Sequence, residues 1–176
     1  MGKKKDYHEC LSTPFETGIR NFTEVAKYFM YYAPEIDSAQ SAGSFEQKTA
    51  QNILTIMMEK ANLQGNGVFQ QRIQSASWKK VELEGDELDF ENPRFLCNRY
   101  SNEIELHALL RHIRNALAHG YIYVWRKKKK DDYIFLLDMS ASGNGKAAKV
   151  TAKLILSYSI LEKWKAILES QTALGE

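Results

Sequence analysis

Cysteine is scarce in these 176 residues: only Cys10 and Cys97 occur, far apart in the chain. No Cys-x-x-Cys pair exists, so a thiolate zinc site or redox dithiol has no support. A chain of this length buries roughly 70% of its unfolded surface and needs no disulfide or structural metal. Prolines number three and glycines ten, which excludes collagen-like and linker-like classes. No window reaches the roughly 18 apolar residues of a membrane-spanning helix. Lys3, Lys4 and Lys5 are followed by Asp6, His8 and Glu9, where a signal peptide would turn apolar. The expectation is a cytoplasmic protein with no membrane partner. An excess of one charge is also missing. Lys plus Arg is 24 against 22 for Asp plus Glu, a net charge of +2, too little for a dedicated duplex-DNA binder.

The even total conceals an asymmetry. Residues 1–60 carry a net −1, residues 61–98 a net −2, and residues 99–176 a net +5. An anionic partner should therefore meet the last part of the chain.

Hydrophobic periodicity predicts a mainly α fold in one domain spanning 1–176, with a small antiparallel β-hairpin inserted before the last helix. Thr13-Pro14-Phe15-Glu16 opens a helix over about 14–33, which Pro34 ends. Ser44-Phe45-Glu46-Gln47 opens a second over about 45–64, stopped by Gly65-Asn66-Gly67. A third covers about 102–119, with Asn102 as cap, Glu105 behind it and Gly120 at its end. Residues 121–137 alternate as a hairpin, and a last helix spans about 147–170 through Val150, Leu154, Tyr158, Leu161, Trp164 and Leu168. Residues 66–98 fit either a short helix with a small hairpin or a long irregular insert.

The third helix carries the candidate chemistry. Leu106, Leu109, Leu110, Ile113 and Leu117 form its apolar stripe. At 100° per residue, Asn115 and His119 fall on the opposite face, roughly 180° and 220° from Leu106. They are spaced i, i+4, so Asn115 is expected to hold one imidazole nitrogen and leave the other free. Arg114 lies on the border of that face, about 140° from His119, so the two meet on one substrate only through a distorted turn, side-chain reach or a second subunit. A helix-end histidine among small residues is more often structural than catalytic. If functional, the set has a defined chemistry. Arginine grips phosphate, histidine moves a proton near neutrality, and RNA supplies its own 2′-OH nucleophile.

Arg114-Asn115-Ala116-Leu117-Ala118-His119 matches the Arg-x4–6-His motif of the HEPN superfamily of prokaryotic toxins and defence ribonucleases. The run from Leu106 through Val124, its hairpin and the closing helix resemble small stand-alone HEPN proteins over about residues 99–170. The resemblance implies an HEPN-like helical bundle and a metal-independent endoribonuclease with Arg114, His119 and Asn115 catalytic. It implies no cofactor and no metal. It also implies a homodimer whose paired motifs face one cleft, an RNA substrate, and a toxin or phage-defence role with any antitoxin encoded separately. A catalytically inactive HEPN-like dimeric scaffold, or a regulator that binds RNA or protein, is the alternative. His119 as general acid or as general base stays open, as does the RNA target.

Further RNA contacts are expected from Arg111, His112 and the basic hairpin tip Lys127, Lys128, Lys129 and Lys130, beside Tyr123 and Trp125. Gly143-Asn144-Gly145-Lys146 is no phosphate loop of the nucleotide-hydrolysing kind, because Ala147 follows the lysine. The dimer interface is expected on the third and last helices, with Tyr158, Trp164 or the Tyr121–Trp125 segment nearby.

Overall fold

Val150–Ser157 sets the architecture, because it is a strand and not the start of a helix. A computed structural model describes residues 10–11, 17–35, 44–84, 88–125, 132–140 and 148–173. In chain order its strands are β1 (Cys10–Leu11), β2 (Gly67–Gln70), β3 (Arg94–Asn98), β4 (Ile122–Trp125), β5 (Tyr133–Met139) and β6 (Val150–Ser157). Its α-helices are α1 (Phe22–Lys27), α2 (Gln47–Lys60), α3 (Ser75–Lys80), α4 (Glu105–His119) and α5 (Tyr158–Thr172); α1 runs on into a π-helical turn, Tyr28–Tyr32. The strands form one sheet in the order β1-β4-β5-β6-β3-β2. Every neighbouring pair is antiparallel except β2 and β3. The fold is therefore α+β, and the expected mainly α bundle with a small hairpin is overturned.

The error has a physical cause. Val150, Leu154 and Tyr158 are spaced by four, and four is close to one helical turn and also a multiple of the strand period of two. Val150, Thr151 and Ile155 are β-branched, and two neighbours, β5 and β3, offer ladders on both sides. Ala152, Leu154 and Leu156 then face the helices, while Ile155 faces the other way. The last helix begins only at Tyr158. Ser157 caps it, its side-chain oxygen accepting from the Ile160 N–H at 3.4 Å.

Other boundaries shift for similar reasons. Gly18 and Asn21 both have positive φ, so helix α1 starts at Phe22 and not near residue 14. Thr13 and Phe15 lie outside the described residues. The Ser44 capping box does not form; Glu46 is the N-cap of α2 and makes no side-chain cap bond. Asn102 caps nothing either. Ile104 precedes α4, and Glu103 closes the turn before it by accepting from the Tyr100 N–H. Pro34 and Gly120 act as their chemistry demands: the chain is extended at Ala33, and Gly120 takes φ 71° at the end of α4.

Residues 66–98 hold no hairpin among their described positions. They form a β2–α3–β3 crossover, which a parallel strand pair requires. Trp78, Leu83 and Phe90 from this segment cover Leu96 and Ile155 on the outer sheet face, and Phe90 stacks on Trp125 at 5.9 Å. Arg94 ties the crossover together. The residue is 5% exposed, and its guanidinium donates to the carbonyls of Val81, Glu82, Asp89 and Asn92. On the inner face, α1, α2, α4 and α5 pack over Phe95, Ile134, Leu136, Leu154 and Leu156. Trp164 is wholly buried there, its indole N–H donating to Met57 O at 2.9 Å. It is a core residue joining α5 to α2.

Gly67 marks the tightest approach in the crossover. A Cβ built there would lie 2.4 Å from Phe95 Cζ and 2.3 Å from Met58 Cε. The methionine tip can swing aside, but the Phe95 ring is fully buried. Gly67→Ala should lower stability by about 1–3 kcal/mol through this overpacking. Urea melts would show it as a lower midpoint at unchanged slope; an unmoved midpoint would mean the strand has room to spare.

Candidate functional site

Helix α4 lies between the helical layer and the sheet, contacting the π-helical turn, α2, β3 and β5. It therefore has two covered sides, and this decides the fate of its polar residues. Leu106, Leu109, Leu110, Ile113 and Leu117 are all buried, as their stripe predicts. His112, on the presumed polar side, is also buried, at 0% exposure.

His112 is a correction to the expected RNA contact. Its Nδ1 lies 2.6 Å from Asp138 Oδ2 and its Nε2 lies 2.7 Å from the carbonyl oxygen of Asn98. Both nitrogens are spent inside the protein, on β5 and at the end of β3. Asp138 is itself 2% exposed. Its Oδ2 also accepts from Asn115 Nδ2 at 3.4 Å and from Thr151 Oγ1 at 3.2 Å.

Asn115 differs from expectation too. No hydrogen bond joins it to His119 among the described residues. Its amide instead bridges inward and outward: Nδ2 donates to Asp138, and Oδ1 accepts from Arg114 Nη1 at 3.3 Å. The amide orientation is fixed by its partners, since a guanidinium only donates and a carboxylate oxygen here only accepts.

Arg114 and Arg111 part company. Arg111 is held by Glu103, with Nε to Oε1 at 2.6 Å and Nη2 to Oε2 at 2.9 Å, and its guanidinium lies 4.6 Å from the Tyr100 ring centre. A bidentate carboxylate leaves it little capacity for phosphate, so Arg111 as an RNA contact is corrected to an ion-pair partner. Burial works against the Glu103 carboxylate. The hydrogen bond from Arg111, the Tyr100 N–H and the Arg111 charge outweigh it and hold the carboxyl below its ordinary range. Arg114 is half-buried and has no carboxylate partner among the described residues. Asn115 holds one of its nitrogens, and its Nε is buried without a partner.

His119 is the last residue of α4 and is exposed. The helix ends there because Gly120 enters the left-handed region and the Tyr121 N–H reaches back to Ala116 O at 3.0 Å. Tyr121 lies beside the imidazole, ring centres 6.4 Å apart. Lys127–Lys130 and Gly143–Lys146 lie outside the described residues.

Two other features bear on chemistry. Cys97 is a fully buried thiol on β3, and burial raises its pKa well above the usual thiol value, so it is no nucleophile. An open polar depression of ≈750 Å³ lies at the opposite end of α4, lined by Gln47, Gln51, Arg99 and residues 101–105. It does not reach Arg114 or His119. Among the described residues, no three His, Cys, Asp or Glu side chains group as metal ligands would, and no helix is long and apolar enough to cross a membrane. No family model matches the chain, and no curated protein or solved structure is significantly similar to it.

The geometry separates structural from surface histidine. His112→Ala should cost about 3–5 kcal/mol, because it removes buried volume and leaves Asp138 buried without its closest hydrogen-bond partner. His119→Ala should change stability by about 1 kcal/mol or less, since it fills no core volume. Leu110→Ala should cost roughly 2–5 kcal/mol. Denaturant melts on the three variants check this order, and a severe loss from His119→Ala would make it a structural residue. Glu103 adds a pH signature. Its folded pKa is depressed, so the advantage of wild type over Glu103→Gln should be complete above about pH 4.3 and vanish as pH falls through the lower folded value. Paired melts between pH 7 and pH 3 test it; a constant gap would refute the Arg111 contribution.

Proposed function

We propose that the chain is a metal-independent endoribonuclease of the toxin or defence type, of HEPN-like character in its α4 motif, acting through Arg114 and His119. One observation carries this: Arg114 is an arginine with no carboxylate partner among the described residues, held by Asn115, five residues before an exposed helix-end histidine. Arg94 and Arg111, by contrast, are consumed by carbonyls and by Glu103.

In this scheme Arg114 grips the scissile phosphate and stabilises the charge that grows on it. The 2′-oxygen forms a bond to phosphorus, and the bond from phosphorus to the 5′-oxygen breaks. One proton leaves the 2′-OH and one is delivered to the departing 5′-oxygen. His119 performs one of these transfers. The products carry a 2′,3′-cyclic phosphate and a 5′-OH. Arg114 and His119 are about 140° apart around an ideal helix, so two copies of the motif facing one cleft in a homodimer would complete the site. The basic bias of residues 99–176 suits an RNA partner; the cytoplasm would be its setting, and any antitoxin would be a separate chain.

A second function has an observation of its own. His119 lacks an orienting hydrogen bond among the described residues, as a dimeric scaffold or regulator of degenerate nuclease origin would tolerate.

Purified protein should cleave RNA in excess EDTA, leaving cyclic phosphate and 5′-OH ends. Arg114→Ala and His119→Ala should each lower the rate by at least about 10²-fold without unfolding the chain. Light scattering should give a dimer at micromolar concentration. Cleavage only after Mg²⁺ is added, with 5′-phosphate ends, would sink the mechanism. RNA binding without cleavage, unchanged by His119→Ala, would favour the scaffold.

A further inference from the structure

We propose that Asp138 is the positioning residue of the Arg114 site, acting through Asn115 to fix the guanidinium in the direction a phosphate would meet it; this rests on the ribonuclease function proposed above. Three donors from two elements converge on Asp138 Oδ2: His112 Nδ1 and Asn115 Nδ2 from α4, and Thr151 Oγ1 from β6. From this point the bonds run one way, outward, through the Asn115 amide to Arg114 Nη1. The inner end is almost wholly buried and the outer end is half-exposed. The arrangement links a rigid interior anchor to a surface cation.

Two facts argue against a mere fastening of α4 to β5. The first is the desolvation of the anchor. A buried carboxylate and histidine bear a penalty that an apolar pair of the same volume would avoid, and such a pair would fasten the helix as firmly. What the apolar pair lacks is direction, and a long flexible arginine needs direction if it is to be placed. The second is the bulge in the ladder. Asp138 pairs with Ala152 and Met139 with Val150, so Thr151 is an extra residue in β6. In regular pleating Thr151 would share the outer face with Lys153, away from α4. The bulge turns its hydroxyl onto Asp138, and bulges are a recurrent means of re-aiming a side chain beside a site. The sequence breaks its own ladder at the one place that adds a donor to this carboxylate.

The test uses variants that leave the bond from His112 to Asp138 intact, because Asp138→Asn on its own could prevent folding. Asn115→Ala removes the bridge, Thr151→Val removes the hydroxyl at equal volume, and Thr151→Ser restores it. The first readout needs no activity. The Nε–Hε cross-peak of Arg114, assigned by its loss in Arg114→Lys, should move in Asn115→Ala and, to a smaller extent, in Thr151→Val, and return toward its wild-type position in Thr151→Ser. The second readout is cleavage of an oligoribonucleotide in EDTA. Asn115→Ala and Thr151→Val should lower kcat by about 10- to 100-fold with KM little changed, since the phosphate is still bound but no longer aligned. An Arg114 cross-peak unmoved in both variants would overturn the proposal, whatever the cleavage rates. A cross-peak that moves in a protein that cleaves no RNA would support the positioning and reject the ribonuclease.

Discussion

The bond between His112 and Asp138 is the constraint on which the rest of the site depends. It crosses from the middle of α4 to the inner face of β5, and both side chains are buried. Its two partners must each be satisfied again, and they are, by Asn98 O on one side and by Asn115 and Thr151 on the other. Those second partners lie at the end of β3, on α4 and in the bulge of β6. One buried pair thus sets the rotation of α4 about its axis relative to three strands. Slippage of the helix by one residue would turn His112 and Asn115 away from their acceptors.

That rotation has a consequence for arginine. Arg94, Arg111 and Arg114 all sit partly inside the protein, and each solves the desolvation of a guanidinium differently. Arg94 takes backbone carbonyls and closes a crossover. Arg111 takes a carboxylate and a tyrosine face and closes the turn before α4. Arg114, among the described residues, takes only a neutral amide oxygen. The first two are complete within the protein; the third is left able to take an anion.

Much of α4 was legible from the sequence. The apolar stripe, the glycine stop and the exposure of His119 follow from spacing and from the need for positive φ after the helix. The misreading of His112 came from treating the side opposite the stripe as solvent. In a central helix both sides are covered, and a single stripe describes only the greasier contact. A signal was present in β5: Ile134, Leu136 and Asp138 share one face by alternation, and an acid in line with two core residues needs a buried partner. The strand Val150–Ser157 was lost for another reason. Spacing by four satisfies both periods, so only the pairing offered by β3 and β5, at a distance in sequence, decides between them.

The order of strands also bears on when this protein becomes itself. Strand β6, the last of the described strands in chain order, lies inside the sheet between β5 and β3 rather than at its edge. Until it arrives, the crossover unit and the hairpin are separate pieces with open inner edges, each short of a core. Leu154 and Leu156, which unite them beneath the helices, come with β6, and Trp164 follows on α5. Thr151 and the bulge that aims it arrive in the same stretch. A ribosome-bound chain that already displays all of α4 would therefore hold Arg114 and His119 on an unanchored helix. In such a fold, assembly of the sheet and maturation of the site are one event, and it waits on β6.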